Sequence, residues 1–259
     1  GRRLPRRSQG ISEFRRFTSD EGEEFELFPE QVLGAGAQGT VYKGARVSTG
    51  QSVAIKVIPT WRLILDDCGE DKLAAIEEEV ETLRTLGQHP GIASMIAGVD
   101  VHREGSTSKF PHYKLIVMEI VDGIELAEHI AMEGPMKESL ARHVILQVLE
   151  ALSHVHSKHV IHRDLKPENV LVTGETATYD SKVKLIDFGV AKCLTNGPLA
   201  TVVGTPLVMA PEVAMAKISY VGGGSSSSAS SSAPPKELAA VSTGVGAGSQ
   251  AAAAWKTPA

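Results

Sequence analysis

Short runs of apolar and β-branched residues, separated by glycine-rich or polar turns, occupy the first part of the chain. Runs of this length and composition are typical of β-strands. Between residues 25 and 119 they are Gln31–Gly34, Thr40–Val47, Ser52–Ile58, Ile96–His102 and Tyr113–Glu119. Together they predict an antiparallel sheet of five strands.

A helical period interrupts this strand pattern. Apolar residues recur every three or four positions over Asp71–Leu86, and a longer run of the same kind covers Lys137–Ser157. Each pattern predicts a helix with one buried face. Two apolar runs, Val170–Val172 and Val183–Ile186, then predict short strands on either side of a polar loop. The expected fold is α+β, with a sheet and one helix first and a mainly helical part afterwards.

The ends of the chain differ from this pattern. Residues 1–24 combine an arginine cluster with an acidic stretch and little apolar periodicity, which predicts a flexible extension. Residues 221–259 are rich in Gly, Ser and Ala, and their few apolar residues cannot offset the entropy lost on ordering. We therefore expect a globular domain over 25–220 and a disordered tail over 221–259.

Charge and cysteine content exclude several classes of partner. With 26 Lys and Arg against 31 Asp and Glu, the net charge of −5 gives no general attraction to nucleic acid or anionic membranes. Cys68 and Cys193 lack metal-binding or redox spacing, and no apolar run is long enough to span a bilayer. We expect a cytoplasmic monomer, with a nuclear location as the alternative.

A glycine-rich segment lies between the first two predicted strands. Gly34, Gly36 and Gly39 follow a Gly-x-Gly-x-x-Gly pattern, and glycines let backbone N–H groups approach phosphate oxygens closely. Alone, the pattern also fits dinucleotide folds and plain hairpins. A strand rather than a helix follows it, which argues against a dinucleotide site. Lys56, inside the next apolar strand, needs an anionic partner unless it reaches solvent from a sheet edge.

The most informative segment, residues 162–169, reads His-Arg-Asp-Leu-Lys-Pro-Glu-Asn. The Asp164 carboxylate can orient an attacking hydroxyl and accept its proton, while the Asn169 amide oxygen can bind Mg²⁺. Asp187, which opens an Asp-Phe-Gly turn 18 residues after Asn169, can hold the same metal. His162 is predicted to be a packing residue.

These motifs, in this order, resemble those of the eukaryotic protein kinase superfamily. The matching segments are the glycine-rich loop, Val53-Ala54-Ile55-Lys56, residues 162–169, Asp187-Phe188-Gly189 and Ala210-Pro211-Glu212. Lys166 with Gly204-Thr205-Pro206 is similar to serine/threonine kinases, and residues 115–126 resemble the calcium/calmodulin-dependent group. The resemblance implies a bilobal fold, with a small lobe over 25–118 and a truncated, mainly helical large lobe over 119–220. It also implies transfer of the γ-phosphoryl group from ATP, with Mg²⁺, to Ser or Thr of a protein substrate.

The resemblance implies roles for individual residues. Lys56 would contact the phosphates and pair with a helix glutamate, and the sequence before His89-Pro90 favours Glu79, with Glu78 as the alternative. Asp164 would act at the acceptor hydroxyl with Lys166 beside it, while Asn169 and Asp187 would bind the metal. The nucleotide pocket would consist of Leu33, Gly34, Gly36, Gly39, Val41, Ala54, Lys56, Met118, Glu119, Val121, Glu125 and Leu171.

Substrate preference and regulation are inferred from the same resemblance. Glu125 and Glu168 would lie where relatives contact the ribose or a substrate arginine, and a solvated surface carboxylate is the equally weighted alternative. Arg163 is similar to residues that bind an activation-loop phosphate, and Thr201 is the matching acceptor, with Thr195 as a weaker candidate.

The resemblance ends near Tyr220, where glycine- and serine-rich sequence replaces the later motifs of the family. We expect the apolar face of the helix over Lys137–Ser157 to be left uncovered. An incomplete sequence and a low-complexity insertion both fit this ending. The rival function, from a different class, is a non-catalytic nucleotide-binding or scaffold fragment of a kinase.

Overall fold

A computed structural model of the chain describes residues 15–35, 39–63, 69–103, 109–194, 203, 205 and 208–215. The predicted tail over 221–259, most of the predicted extension over 1–24, Gly36, Thr195 and Thr201 lie outside these residues. In the described part, no helix has the length and apolar character needed to cross a bilayer.

The small lobe contains the predicted antiparallel sheet, with one additional strand. Its strands are β1 Arg16–Thr18, β2 Glu24–Ala35, β3 Thr40–Arg46, β4 Ser52–Ile58, β5 Met95–Val101 and β6 Tyr113–Glu119, in the spatial order β1-β2-β3-β4-β6-β5. All of the pairs are antiparallel. The five predicted strands are therefore confirmed as β2 to β6.

The additional strand corrects the predicted boundary of the domain. Phe17 in β1 is the register partner of Phe25 in β2, and the two rings stack with centroids 5.7 Å apart. This aromatic contact anchors residues that the charge pattern assigned to a flexible extension, because aromatic pairs stabilise a strand beyond their buried area. The ordered sheet begins at Arg16 and not at Phe25.

Two helices pack against the sheet, α1 Thr60–Leu63 and α2 Gly69–Leu86. The second is the helix predicted over Asp71–Leu86, and it buries Ile76, Val80 and Leu83 in the main apolar core. Glu70 and Asp71 in its first turn and Arg84 in its last complement the helix dipole. Gly87, at φ 62°, ends the helix in the left-handed conformation that glycine adopts without strain.

The described part of the large lobe includes two longer helices, a 3-10 turn at Pro167–Asn169, helical residues 211–215 and two small sheets. The two longer helices are α3 Leu126–Glu133 and α4 Glu138–Ser157; the strands are β7 Gly123–Glu125, β8 Val160–Ile161, β9 Val170–Thr173, β10 Val183–Leu185 and β11 Lys192–Cys193. They form a sheet in the order β10-β9-β7 and a second one of β11 with β8. α4 buries Val144, Val148, Ala151 and Val155. Ile145, Leu146 and Leu149 on the same helix are exposed, so the apolar face that we expected to be left uncovered is uncovered only in part.

The loop between α2 and β5 joins the two lobes through backbone hydrogen bonds. The Leu185 N–H donates to Gly91 O at 2.8 Å, and the Ala93 N–H donates to Leu185 O at 3.0 Å. On the other side of the loop, the Glu119 N–H donates to Ser94 O at 2.9 Å. The end of β6 and the strand that precedes Asp187 are therefore held on the same short loop.

Candidate active site

Lys56 and Glu79 form a buried ion pair between the sheet and α2. Lys56 Nζ lies 2.6 Å from Glu79 Oε1, and the two side chains are 14% and 5% exposed. Burial acts against the Lys56 charge, but the Glu79 and Asp187 carboxylates outweigh it and raise the pKa of Lys56. Lys56 is therefore a fixed cation beside Asp187. Of the two glutamates that the sequence left open, the structure brings Glu79 to Lys56.

Both oxygens of the Asp164 carboxylate, in the loop of residues 162–169, accept hydrogen bonds. Thr205 Oγ1 donates to Asp164 Oδ1 at 2.9 Å, while Asn169 Nδ2 donates to Oδ2 at 3.1 Å and to the Asp164 carbonyl oxygen at 2.7 Å. Lys166 Nζ lies 2.8 Å from Oδ2 and donates to Thr205 Oγ1 at 3.0 Å. Fixed donors of this kind set the orientation of the carboxylate toward a proton that it is to accept.

Asn169 and Asp187, the predicted metal-binding residues, lie on adjacent segments. The Ile186 N–H donates to Asn169 O at 3.0 Å, which places the residue before Asp187 against Asn169. The Asn169 amide nitrogen is directed at Asp164, so its oxygen is the atom left for a cation. Asp187 has φ 58°, and one of its oxygens accepts the Gly189 N–H at 3.2 Å.

The donor set suits a hard cation. One carboxylate and one amide oxygen fit Mg²⁺, which takes its other ligands from phosphates and water. Among the described residues, no group of three or more His, Cys, Asp or Glu side chains could hold a metal ion by itself. A cation at Asn169 and Asp187 would therefore depend on the nucleotide for part of its coordination.

His162 packs under this loop, in agreement with the sequence expectation. Its Nδ1 accepts the Asp164 N–H at 3.3 Å and its Nε2 donates to Ile186 O at 3.2 Å, with the Phe188 ring centroid 4.7 Å away. Burial lowers the pKa of His162, and the nearby carboxylates only partly oppose it. The neutral ring ties the loop of Asp164 to the segment of Asp187.

The predicted nucleotide pocket is built on the apolar core that both lobes share. Ala54 on β4 is the register partner of Met118 on β6, and Gly34 is the partner of Val41. In the large lobe, Glu125 on β7 pairs with Leu171 on β9. The side chains of this shared core that belong to the predicted pocket are those of Leu33, Ala54, Met118, Val121 and Leu171, with Val41 packed against them. Gly36 lies outside the described residues.

Of the two predicted regulatory residues, Arg163 is described and Thr201 is not. Arg163 has φ 61°, and its Nε donates to Val190 O at 2.5 Å. Burial lowers the pKa of Arg163, while the Glu78 carboxylate opposes this shift. Arg163, in the loop of residues 162–169, thus lies near both α2 and the segment after Gly189.

Two ion pairs and one hydroxyl contact near the site were missed in the sequence. They are Lys184 with Glu119, Lys192 with Glu78, and the bridge from Thr205 to Asp164 and Lys166. Thr205 belongs to the Gly204-Thr205-Pro206 motif, but the motif does not indicate which residue the Thr205 hydroxyl contacts. Lys184 and Glu119 are 65 positions apart in the sequence, and Thr205 and Asp164 are 41 positions apart. No local sequence pattern indicates a contact over such separations.

Comparison with known proteins identifies the family. A family model described as protein kinase domain matches residues 28–226. Human serine/threonine-protein kinase D2 is 36% identical over 193 residues, which are 74% of this chain and 20% of that protein. Calcium-dependent protein kinase 5 of Plasmodium falciparum is 34% identical over 213 residues, 82% of this chain and 34% of that protein.

Human calcium/calmodulin-dependent protein kinase type 1B is 35% identical over 203 residues, 78% of this chain and 53% of that protein. The chain thus spans about half, or less, of the length of these relatives. Their names confirm the predicted resemblance to serine/threonine kinases of the calcium/calmodulin-dependent type. The chain belongs to the protein kinase domain family.

Proposed function

We propose that this protein is an ATP-dependent serine/threonine protein kinase. The observation that carries the proposal is the Asp164 carboxylate, held by Thr205, Asn169 and Lys166 at one end of the site, with the Lys56–Glu79 pair beside Asp187 at the other. The Asp164 carboxylate is suited to accept a proton, and the Lys56 ammonium is suited to bind phosphates. A site with both functions fits phosphoryl transfer to a hydroxyl.

When bound, ATP supplies the γ-phosphoryl group and Mg²⁺ neutralises charge on its phosphate oxygens. Lys56 positions the phosphates, because Glu79 holds its ammonium group at a fixed point of β4. Asp164 orients the acceptor hydroxyl and takes its proton as the oxygen–phosphorus bond forms and the bond to ADP breaks. Lys166, whose side chain is 1% exposed, places its Nζ 2.8 Å from Oδ2 of that carboxylate.

Substrate and regulation are finer proposals on the same site. Glu125 and Glu168, both half-buried, give the cleft a negative charge that would favour substrates with basic residues near the Ser or Thr. We also propose that phosphorylation of Thr201 activates the kinase through Arg163, since a phosphate pairs well with a guanidinium group. The nucleotide and metal would be ATP and Mg²⁺, and the kinase would act as a monomer.

The test is phosphate transfer from radiolabelled ATP to a basic Ser/Thr peptide library, with Asp164→Asn as the variant. Asparagine keeps the shape and the contact with Lys166 or Thr205 but cannot accept the proton. Activity is expected to fall by a factor on the order of 10² or more. Equal transfer by wild type and variant would overturn the assignment of Asp164. ATP binding without transfer in wild type would favour the alternative, a non-catalytic nucleotide-binding protein.

A further inference from the structure

Lys184 and Glu119 form an ion pair between the two lobes that the proposed chemistry does not use. Lys184 Nζ lies 2.9 Å from Glu119 Oε1 and donates to Oε2 at 3.0 Å, so one ammonium contacts both carboxylate oxygens. The same Nζ donates to Ile92 O at 3.4 Å. The Lys184 side chain is 15% exposed and that of Glu119 35%, so water screens the pair only partly.

The two partners belong to the segments that lead to opposite ends of the nucleotide site. Glu119 is the last residue of β6, directly before the connection to the large lobe. Lys184 is the middle residue of β10, three positions before Asp187. The ion pair therefore links the place where the adenine end of ATP is expected to bind with the strand that carries a predicted metal ligand.

Backbone hydrogen bonds tie the strands of both partners to the loop between α2 and β5. Leu185 in β10 bonds to Gly91 and Ala93 through both its N–H and its carbonyl group. Glu119, by contrast, bonds to this loop through one N–H, to Ser94 O. Glu119 is also the register partner of Val53 in β4, but β6 ends there, and the side-chain pair adds a contact to the large lobe at that point.

We infer that Lys184 is a positioning residue for the adenine end of the nucleotide, acting through the Glu119 carboxylate. The inference rests on the proposed function. Lys184 does not touch the nucleotide. It holds the backbone of Glu119, whose carbonyl and neighbouring N–H groups would bond to adenine, at a constant distance from Asp187. Its loss should affect base binding and leave the phosphate contacts in place.

The test measures the Kd of the full chain for adenosine and for ADP with Mg²⁺ by calorimetry. Lys184→Met is expected to weaken both ligands by the same factor, roughly 5-fold or more, as for other contacting pairs. Glu119→Gln should give the same pattern, and the double variant should lose no more than either single variant. Lys56→Met, at the phosphate end, should weaken ADP more than adenosine.

Circular dichroism and thermal melting identify a variant that fails to fold. Glu119→Gln, which changes a partly exposed side chain with little change of shape, then carries the test alone. Wild-type affinity for adenosine in every one of the Lys184 and Glu119 variants that folds would overturn the inference. A wild-type chain that binds neither ligand would overturn the proposed function on which the inference rests.

Discussion

Glu78 and Glu79 are consecutive residues of α2, but their carboxylates bind lysines of two different sheets. Glu79 Oε1 lies 2.6 Å from Lys56 Nζ on β4, in the small lobe, and Glu78 Oε1 lies 3.1 Å from Lys192 Nζ on β11, in the large lobe. Successive residues of a helix point about 100° apart, so two neighbours can face different partners. The orientation of α2 is thus set by both lobes at once.

The two pairs should differ in what they contribute to stability. Glu79→Gln removes the carboxylate charge beside the buried Lys56 ammonium, and we expect the free energy of unfolding to fall by up to about 3 kcal/mol. Glu78→Gln removes a pair whose side chains are 20% and 30% exposed, and should cost less than about 1 kcal/mol. Urea denaturation of both variants measures the difference.

Glu81→Gln is the matched control on the same helix. Its carboxylate is 63% exposed and lies 3.8 Å from Arg84 Nη1, so the change should be nearly neutral. If Glu78→Gln proved as destabilising as Glu79→Gln, the ranking by burial would be wrong.

Thr205 should matter to catalysis through its hydroxyl group alone. The hydroxyl donates to Asp164 Oδ1 at 2.9 Å and accepts from Lys166 Nζ at 3.0 Å. Thr205→Val keeps the shape but removes both contacts, and kcat/KM for a peptide is expected to fall roughly 10-fold or more, the value of a hydrogen bond to a charged group. Thr205→Ser keeps the hydroxyl and should stay within about 3-fold of wild type. A loss in Thr205→Ser with Thr205→Val unaffected would point to packing by the methyl group instead.

The helical periods identified α2 and α4 within two residues of their ends. The apolar runs Val170–Val172 and Val183–Ile186 also correctly predicted β9 and β10. Shorter elements were missed, because β7, β8 and β11 have only two or three residues and α3 has only eight, too few to show a period. β1 was missed for another reason: its one aromatic contact, Phe17 with Phe25, is surrounded by charged residues that indicated an extension.

The part of the candidate site that lies in contiguous motifs could be predicted from the sequence. Residues 162–169 and 187–189 are contiguous in sequence, so their chemistry is visible before folding. The choice between Glu78 and Glu79 depended on the rotation of α2, and an inserted loop residue made that register uncertain. The Lys184–Glu119 pair depends on how the two lobes meet, for which a single sequence carries no local signal.

Two glycines of the small-lobe sheet should respond differently to alanine. A Cβ on Gly44, in β3, would collide with the Glu26 carbonyl oxygen and the Ile55 side chain. A Cβ on Gly98, in β5, would meet Arg84 Nη2 and Val80 Cγ1 at 3.5 Å, an ordinary contact. Overpacking costs about 1–3 kcal/mol, so Gly44→Ala should lower the melting temperature by several degrees. Gly98→Ala, the control, should melt close to wild type. A similar loss in both would mean that the collision at Gly44 does not set the response, since alanine restricts the unfolded chain and would by itself stabilise the fold.

Stability should also depend on pH through His89, which stacks on His154 where the α2–β5 loop meets α4. The ring centroids are 4.4 Å apart, His89 Nδ1 accepts the Gly91 N–H at 3.1 Å, and His154 Nε2 donates to Leu86 O at 2.8 Å. Burial lowers the pKa of His89, and His154 and Lys184 lower it further, while Glu150 opposes them.

Because the pKa of His89 is lower in the folded chain, the unfolded chain binds its proton first as pH falls. The contribution of His89 to stability is therefore complete above about pH 6.5 and is lost as pH falls toward the lowered value. Denaturation of wild type should show unfolding free energy declining from pH 7 to about 5.5. His89→Asn keeps an acceptor for the Gly91 N–H but cannot titrate, so the decline should be smaller. An unchanged slope in His89→Asn would assign the dependence to other groups.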